Sequence, residues 1–341
     1  MATSRIKVHD IASTKTLRGC VLLLCFLLGS FAVCAQEQTQ EPADTIKIDS
    51  DLVNLQVSVL GQDPLKPSIL QQQDFRVLDN GVPQQITFFE AADAPFDLIL
   101  LLDLSGSTSN KLKMIRKSAK RFVEACRPTD RVAVVTFAED LEVVSPLISD
   151  KEKLEHNIDK IERLSDGTKF WDALRFVFET IARRGPSSRR TAIVVMSDGV
   201  DNALPEVPGP GSQTSFEDLA TAAQRSDAIV FPIYLDTEKE EVHRGHAPAS
   251  AYDSAKAELA QIAEISGTTV RKASKLGDLE SIYEQIIHDL GTVYSIGYHP
   301  PEMARDGKWH RIAVNLVDRP GLTARTRSGY FATTLASTVP K

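Results

Sequence analysis

The stretch FDLILLLDLSGSTSN, Phe96 to Asn110, decides how the rest of the chain is read. An unbroken apolar run, Leu98 to Leu102, ends on the carboxylate of Asp103 and then gives way to Ser105, Gly106, Ser107, Thr108 and Ser109. A run of that length without polar alternation suits a strand buried on both faces, as in a parallel sheet covered by helices. The residues after it then lie at the strand's carboxyl end, where open α/β sheets keep their ligand crevice. A carboxylate and several hydroxyls gathered there are hard oxygen donors, a set that suits a hard cation. The remaining donors must come from other segments.

Downstream, strand and helix patterns alternate. Leu112, Ile115, Ala119, Phe122, Val123 and Cys126 recur at helical spacing, which makes Cys126 a small buried residue of an amphipathic helix. Arg131–Phe137 and Leu141–Leu147 read as two strands with a tight connection, and Lys151–Leu164 and Phe170–Arg184 as helices. Thr191–Met196 repeats the opening pattern, an apolar strand that ends in Ser197-Asp198-Gly199. Phe216–Arg225, Ala228–Leu235, Ser254–Ser266 and Leu279–Leu290 follow as helix, strand, helix and helix. This alternation predicts a doubly wound, mostly parallel α/β sheet over residues 94–291.

Both sides of that region carry strand patterns instead. Upstream, in residues 47–93, Val53, Leu55, Val57 and Val59 alternate with polar residues, which predicts a half-buried strand. A hairpin follows, with arms Phe75–Leu78 and Gln85–Phe89 and an Asp79-Asn80-Gly81 turn. Downstream, in residues 292–331, Val293–Tyr298, Trp309–Val317 and Leu322–Tyr330 are strand-like. Each flank alone is too small to bury a face, so the two are expected to pair into one small β-sandwich with the α/β region inserted. A tail, 332–341, closes the chain.

The amino end has a targeting pattern. Arg5, Lys7, Lys15 and Arg18 precede the apolar stretch Val21–Val33, and small residues follow up to Ala35. Residues 1–35 therefore read as a signal peptide, with a polar leader at 36–46. The stretch is short for a spanning helix, so cleavage is favoured over an uncleaved anchor. A lipid-modified Cys34 fits less well, because Phe31 and Val33 do not suit that signal. The expected location is periplasmic, cell-surface or secreted. Without residues 1–35 the chain has 35 basic and 45 acidic residues, a net charge of -10. Such an acidic protein is a poor ligand for nucleic acid or anionic lipid. Of the four cysteines only Cys126 lies beyond residue 35, so no intrachain disulfide is expected there.

Asp103-Leu-Ser105-Gly-Ser107, Thr168 in a Gly-Thr segment opening a helix, and Asp198 in Ser-Asp-Gly after a second apolar strand together resemble the metal-ion-dependent adhesion site of von Willebrand factor type A domains. The Asp74-Phe75 hairpin and the closing Gly297-Tyr298 and Gly329-Tyr330 strands extend the resemblance to the exported bacterial VWFA-related family. All five site positions match the family pattern. The resemblance implies that Ser105, Ser107 and Thr168 touch a divalent ion, Mg²⁺ with Mn²⁺ or Ca²⁺ as substitutes, while Asp103 and Asp198 hold its waters or touch it. It further implies an open coordination position for a Glu or Asp of a partner protein.

Other chemistry is less well supplied. Ser105 or Ser107 as a hydrolase nucleophile would need a base and a Gly-x-Ser-x-Gly elbow, and neither is present. An aspartyl-phosphate role for Asp103 would want a second acid where Ser105 stands. His243 and His246, beside Glu240 and Glu241, lack a third zinc ligand and read as a solvated loop. The basic run Lys111–Arg121 reads as the wet face of the first helix. Two long connections, Val200–Ser215 and Asp236–Tyr252, should emerge on the rim of the site. The acids Glu238, Glu240 and Glu241 there are expected to repel a diffusely acidic ligand and to favour one acidic residue in a neutral or basic epitope.

The sequence thus points first to an exported, non-enzymatic adhesion module that captures a protein through a divalent cation. A structural component of an envelope complex, with the β flanks making the contacts and the metal non-essential, is the alternative. A metal-dependent hydrolase comes third.

Overall fold

The alternating residues from Val53 onward form β1 (Val53–Leu60), and the segment after Asp74 forms β2 (Phe75–Asp79) and β3 (Val82–Gln84) around the turn at Asn80 and Gly81. β4 (Phe88–Glu90) completes the upstream flank. The computed structural model describes residues 52–61, 69–162, 165, 167–182, 189–301 and 306–332. The expected signal peptide, the leader and the tail past Ala332 lie outside the described residues.

The inserted region follows in order: β5 (Phe96–Asp103), α1 (Leu112–Ala125), β6 (Arg131–Phe137), β7 (Leu141–Ile148), α2 (Lys151–Asp159), α3 (Phe170–Phe176) and β8 (Arg190–Ser197). Then come α4 (Phe216–Arg225), β9 (Ile229–Leu235), α5 (Glu238–Arg244), α6 (Ala249–Ser266), β10 (Arg271–Ala273) and α7 (Leu276–Leu290). The downstream flank supplies β11 (Val293–Tyr298), β12 (Trp309–Leu316), β13 (Thr323–Arg325) and β14 (Gly329–Phe331).

The central sheet has the order β10-β9-β8-β5-β6-β7, parallel except for the antiparallel edge strand β7. The absence of alternation in Leu98–Leu102 has its physical reason here. Leu98, Leu100 and Leu102 enter one core with Ile115 and Phe122 of α1, Leu154 of α2 and Ile286 of α7. Ile99 and Leu101 enter the opposite core with Leu174 of α3, Leu219 of α4 and Leu259 of α6. A strand covered on both faces has no use for a polar residue until its end.

The two flanks pair with each other. β1 lies antiparallel between β11 and β13, and β4 adds to the far side of β11. The second sheet runs β14-β12-β2-β3. Leu55 and Val57 of β1 and Ile296 of β11 share a core with Val77 of β2 and Ile312 of β12, so the sheets face each other as a sandwich. Asp79 clips them together: Tyr298 and Tyr330 donate their hydroxyls to its Oδ2 at 2.7 and 2.9 Å, and His310 Nδ1 meets its Oδ1 at 2.8 Å.

Several elements depart from the pattern read in the sequence. The second hairpin arm is Val82–Gln84 rather than Gln85–Phe89, and Phe88–Glu90 crosses to the other sheet. Pro83, which has no N–H, fits because β3 is an edge strand. Leu322–Tyr330 likewise splits into β13 and β14, one in each sheet. Gln56 and Ser58 on the expected wet face of β1 are buried, and Ser295 Oγ donates to Gln56 Oε1 at 3.1 Å. The second helix stops at Asp159, with Lys160 N turning back onto Asn157 O at 3.1 Å.

At the amino ends of the central strands, Arg190 ties the two parts together. Its buried guanidinium stacks 4.1 Å from the Phe96 ring and donates to the carbonyls of Ala92, Ala94 and Val293. Those carbonyls lie on the chain entering β5 and on the first residue of β11. The carboxyl ends of β5 and β8 are therefore the ends remote from the sandwich.

Candidate metal centre

β5 is the first strand of the central sheet, and the chain departs from it in two directions. It proceeds to β6 and β7 on one side and returns later to β8, β9 and β10 on the other. The crevice between β5 and β8 is thus a topological switch point, the place where such sheets bind ligands. Asp103 closes β5, and Asp198 directly follows β8.

The turn after β5 folds on its own polar groups. Asp103 Oδ1 accepts Ser105 N at 2.9 Å, and Thr108 Oγ1 donates to the carbonyls of Asp103 and Ser105 at 2.9 and 3.1 Å. This brings Ser105 Oγ within 3.3 Å of Ser107 Oγ. From β8, Ser197 Oγ donates to Asp103 Oδ2 at 2.5 Å and accepts Gly199 N at 2.8 Å. Asp198 Oδ2 accepts Thr237 Oγ1 at 2.6 Å, and Oδ1 accepts Val200 N at 3.2 Å.

Thr168 reaches the site from the segment before α3. Ser107, Thr168 and Asp198 line one cavity of about 860 Å³, while Asp103 and Ser105 are fully buried. Gly199 has φ +76°, and a Cβ there would stand 2.8 Å from Leu259 Cδ1, so a side chain is excluded at the bend that aims Asp198.

Burial raises both carboxyls above the usual carboxylate range. For Asp103, pushed up to about 7, the charge of Asp198 adds to burial; for Asp198, Glu241 contributes in the same direction. The hydrogen-bond partners of the two carboxylates among the described residues are hydroxyls and backbone N–H groups, with no Lys or Arg among them. Two buried carboxylates without a cationic partner, beside hydroxyl oxygens only, are matched to a hard divalent ion. The Ser105–Ser107 separation also fits, because cis ligands of an octahedral Mg²⁺ with bonds of about 2.1 Å lie roughly 3 Å apart.

Ser197, Thr237, Tyr252, Asp201 and Asn202 were not singled out from the sequence. Thr237 stands two residues past β9 and meets Tyr252 OH at 3.2 Å as well as Asp198. A polar residue just beyond each apolar strand was the available signal. The His243–His246 pair forms no metal cluster: among the described residues no group of three His, Cys, Asp or Glu could hold an ion. His246 Nδ1 instead meets the buried Glu241 Oε2 at 2.8 Å.

Both long connections contribute to the cavity wall, Asn202 and Val207–Pro210 from one and Glu241, Arg244 and His246 from the other. The connection Asp236–Tyr252 contains α5 and the start of α6. Its acids are partly paired. Glu238 pairs with Lys256 at 3.1 Å, Glu240 with Arg244 at 2.7 Å, and Glu241 with Arg244 at 3.0 Å.

Residues 98–200 match the family described as von Willebrand factor type A domain. Similar solved structures include proximal thread matrix protein 1 from the mussel byssus, 20% identical, with 57% of this chain and 48% of that chain covered and a TM-score of 0.43. This chain thus spans about half the length of that protein. Another is the conserved hypothetical protein BatB from Bacteroides thetaiotaomicron, 16% identical, covering 57% and 98%, with a TM-score of 0.42. The vWF domain of the type V pili tip protein Mfa5 from Porphyromonas gingivalis is 14% identical, covering 57% and 94%, with a TM-score of 0.40.

Proposed function

We propose, from the premise that this chain carries a von Willebrand factor type A domain, that it is an exported protein-binding module whose grip on its partner runs through a divalent cation. Asp103, Ser105, Ser107, Thr168 and Asp198 would hold that cation, Mg²⁺ first and Mn²⁺ or Ca²⁺ as substitutes. The observation that carries the reading is the pair of fully buried carboxylates at the switch point, whose hydrogen-bond partners among the described residues are hydroxyls and backbone N–H groups rather than a Lys or Arg.

Each residue has a distinct task in this reading. Ser105, Ser107 and Thr168 offer neutral oxygens, so a bound cation keeps most of its charge for a carboxylate brought by the partner. Asp103 and Asp198 supply the compensating negative charge, oriented by Ser197 and Thr237. The partner's Glu or Asp would enter through the cavity that Ser107 and Thr168 line. The Ser105 and Ser107 hydroxyls meet each other, and the Ser105 N–H donates to Asp103, with no histidine base among the described contacts. That supports a binding role over a hydrolytic one. Export rests on the reading of residues 1–35; among the described residues no helix is long and apolar enough to cross a membrane.

Titration calorimetry of the chain with MgCl₂ and MnCl₂ tests the proposal. Saturable binding that is lost in Asp103→Asn and Asp198→Asn, with the fold retained by circular dichroism, is expected. Binding that is unchanged in both variants would remove the site.

A further inference from the structure

The loop Val200–Ser215 is fastened to the segment that carries Thr168. Asp201, fully buried, accepts Trp171 N at 3.0 Å and Ser212 Oγ at 2.6 Å on Oδ2, and Ala203 N at 2.8 Å and Ser212 N at 2.9 Å on Oδ1. Asp172 in turn accepts Gln213 N and Thr214 N at 3.0 and 2.9 Å. The loop is a preformed wall, held at both ends against the start of α3.

Asn202 occupies the middle of this arrangement. Its Oδ1 accepts Thr168 N at 2.8 Å, and its own N–H donates to Thr168 O at 3.0 Å. Its Nδ2 donates to the carbonyl of Pro208. Pro208 belongs, with Val207, Gly209 and Pro210, to the lip of the cavity. The approach depends on glycine: Gly209 has φ +102°, and a Cβ there would stand 2.7 Å from Asn202 Nδ2. One amide side chain therefore connects the lip to the backbone of Thr168, and four residues earlier the same segment supplies Asp198.

We propose that Asn202 is a positioning residue that couples contact at the Val207–Pro210 lip to the hold of Thr168 on the cation. The inference rests on the reading of the cation site given above. It assigns the lip to an apolar residue of the partner, lying beside the acid that reaches the site. Linkage requires reciprocity: a contact that tightens the Asn202 bridge strengthens cation binding by the factor with which the cation strengthens that contact. Displacing the lip alone should then weaken the cation, although no lip residue is among the five expected to hold it.

The test is Mn²⁺ affinity of the full chain, measured by calorimetry without any partner. Asn202→Ala should weaken Mn²⁺ about tenfold, the size typical of losing a group that orients a ligand. Gly209→Ala, which forces the lip away from Asn202, should weaken it several-fold, and Asn202→Asp should also weaken it because the donor to Pro208 O is lost. Thermal midpoints are recorded beside the affinities. A fall in midpoint with Mn²⁺ affinity within twofold of the parent in Gly209→Ala and Asn202→Asp would reduce the bridge to a structural tie and overturn the inference. Should Asn202→Ala fail to fold, Gly209→Ala decides. Absence of Mn²⁺ binding in the parent, or binding that Thr168→Ala leaves intact, would instead overturn the cation reading and the inference with it.

Discussion

Ser197 Oγ bridges the two acidic ends of the site: it donates to Asp103 Oδ2 at 2.5 Å and accepts the N–H of Gly199, the residue after Asp198. Ser197→Ala leaves a fully buried carboxylate short of one donor, and orphaned groups of this kind cost about 1–3 kcal/mol. Urea unfolding should show that loss. Mn²⁺ affinity should fall with it, and Ser197→Thr should restore most of both. Equal stability in the alanine variant would mean that Ser197 does not orient Asp103.

Glu258 gives the fold a dependence on pH outside the cation site. Burial raises its carboxyl to about 7, against the donation from Trp171 Nε1 at 3.0 Å, with Asp201 and Glu217 adding repulsion. A folded-state value above the unfolded one means that the folded chain binds the proton more tightly. Stability is then greatest below the ordinary glutamate range and declines as pH rises toward 7. Discounted for the solvent at this half-buried group, the decline is about 1 kcal/mol. Glu258→Gln, which keeps an acceptor for Trp171, should make the decline of the urea midpoint between pH 5 and pH 8 shallower, with the part due to Asp103, also raised to about 7, remaining. A parent midpoint that rises over that interval would contradict the shift.

How much of this was legible in the chain depended on what each signal measures. Leu98–Leu102 announced a doubly covered strand because burial on two faces leaves a mark at every position. Asp103, Ser105, Ser107, Thr168 and Asp198 could be picked out because polar residues stand where apolar strands stop or a helix begins. Asn202 and Thr237 were not, since their roles come from side-chain hydrogen bonds across the crevice that leave no periodicity. The division of Leu322–Tyr330 between two sheets was hidden for the same reason: a strand pattern records which face is buried, not which neighbour it pairs with. The pairing of the α5 acids with Arg244 and Lys256 was hidden as well, because net charge along a sequence is silent about ion pairs.

Arg190 should determine whether the sandwich and the α/β sheet unfold together. Burial lowers its guanidinium to about 10, so it remains charged at neutral pH while holding the carbonyls of Ala92, Ala94 and Val293. Arg190→Met keeps the apolar contact with Phe96 and removes its three donated hydrogen bonds, Ala94 O retaining only the one from Arg127, at a cost of about 3 kcal/mol. The chain's two tryptophans report on opposite parts, Trp171 on α3 and Trp309 on β12. In Trp171→Phe and Trp309→Phe backgrounds the fluorescence transitions should coincide for the parent and separate in the methionine variant. Coincident transitions in the variant would show that the other contacts suffice.

Gly199 carries the most local prediction, because two separate costs fall on one substitution. Gly199→Ala meets Leu259 Cδ1 at 2.8 Å and also places a side chain at φ +76°. Leu259→Ala removes the first obstacle but not the second, while leaving a cavity in the core that contains Tyr252. If the clash dominates, the double variant should be more stable than the sum of the single losses predicts, by about 1 kcal/mol or more. If backbone strain dominates, the losses should add, with about 1 kcal/mol belonging to the left-handed alanine in both backgrounds. The contact is short enough that something must shift, and the neighbours on that side are the packed side chains of α6 rather than solvent. The clash should therefore dominate, and the coupling between Gly199→Ala and Leu259→Ala in urea unfolding should be positive. Mn²⁺ affinity should follow the same order, lowest in Gly199→Ala and partly recovered in the double variant, because the turn that is relieved is the one that aims Asp198. Strict additivity in stability together with unrecovered affinity would place the cost in the backbone alone.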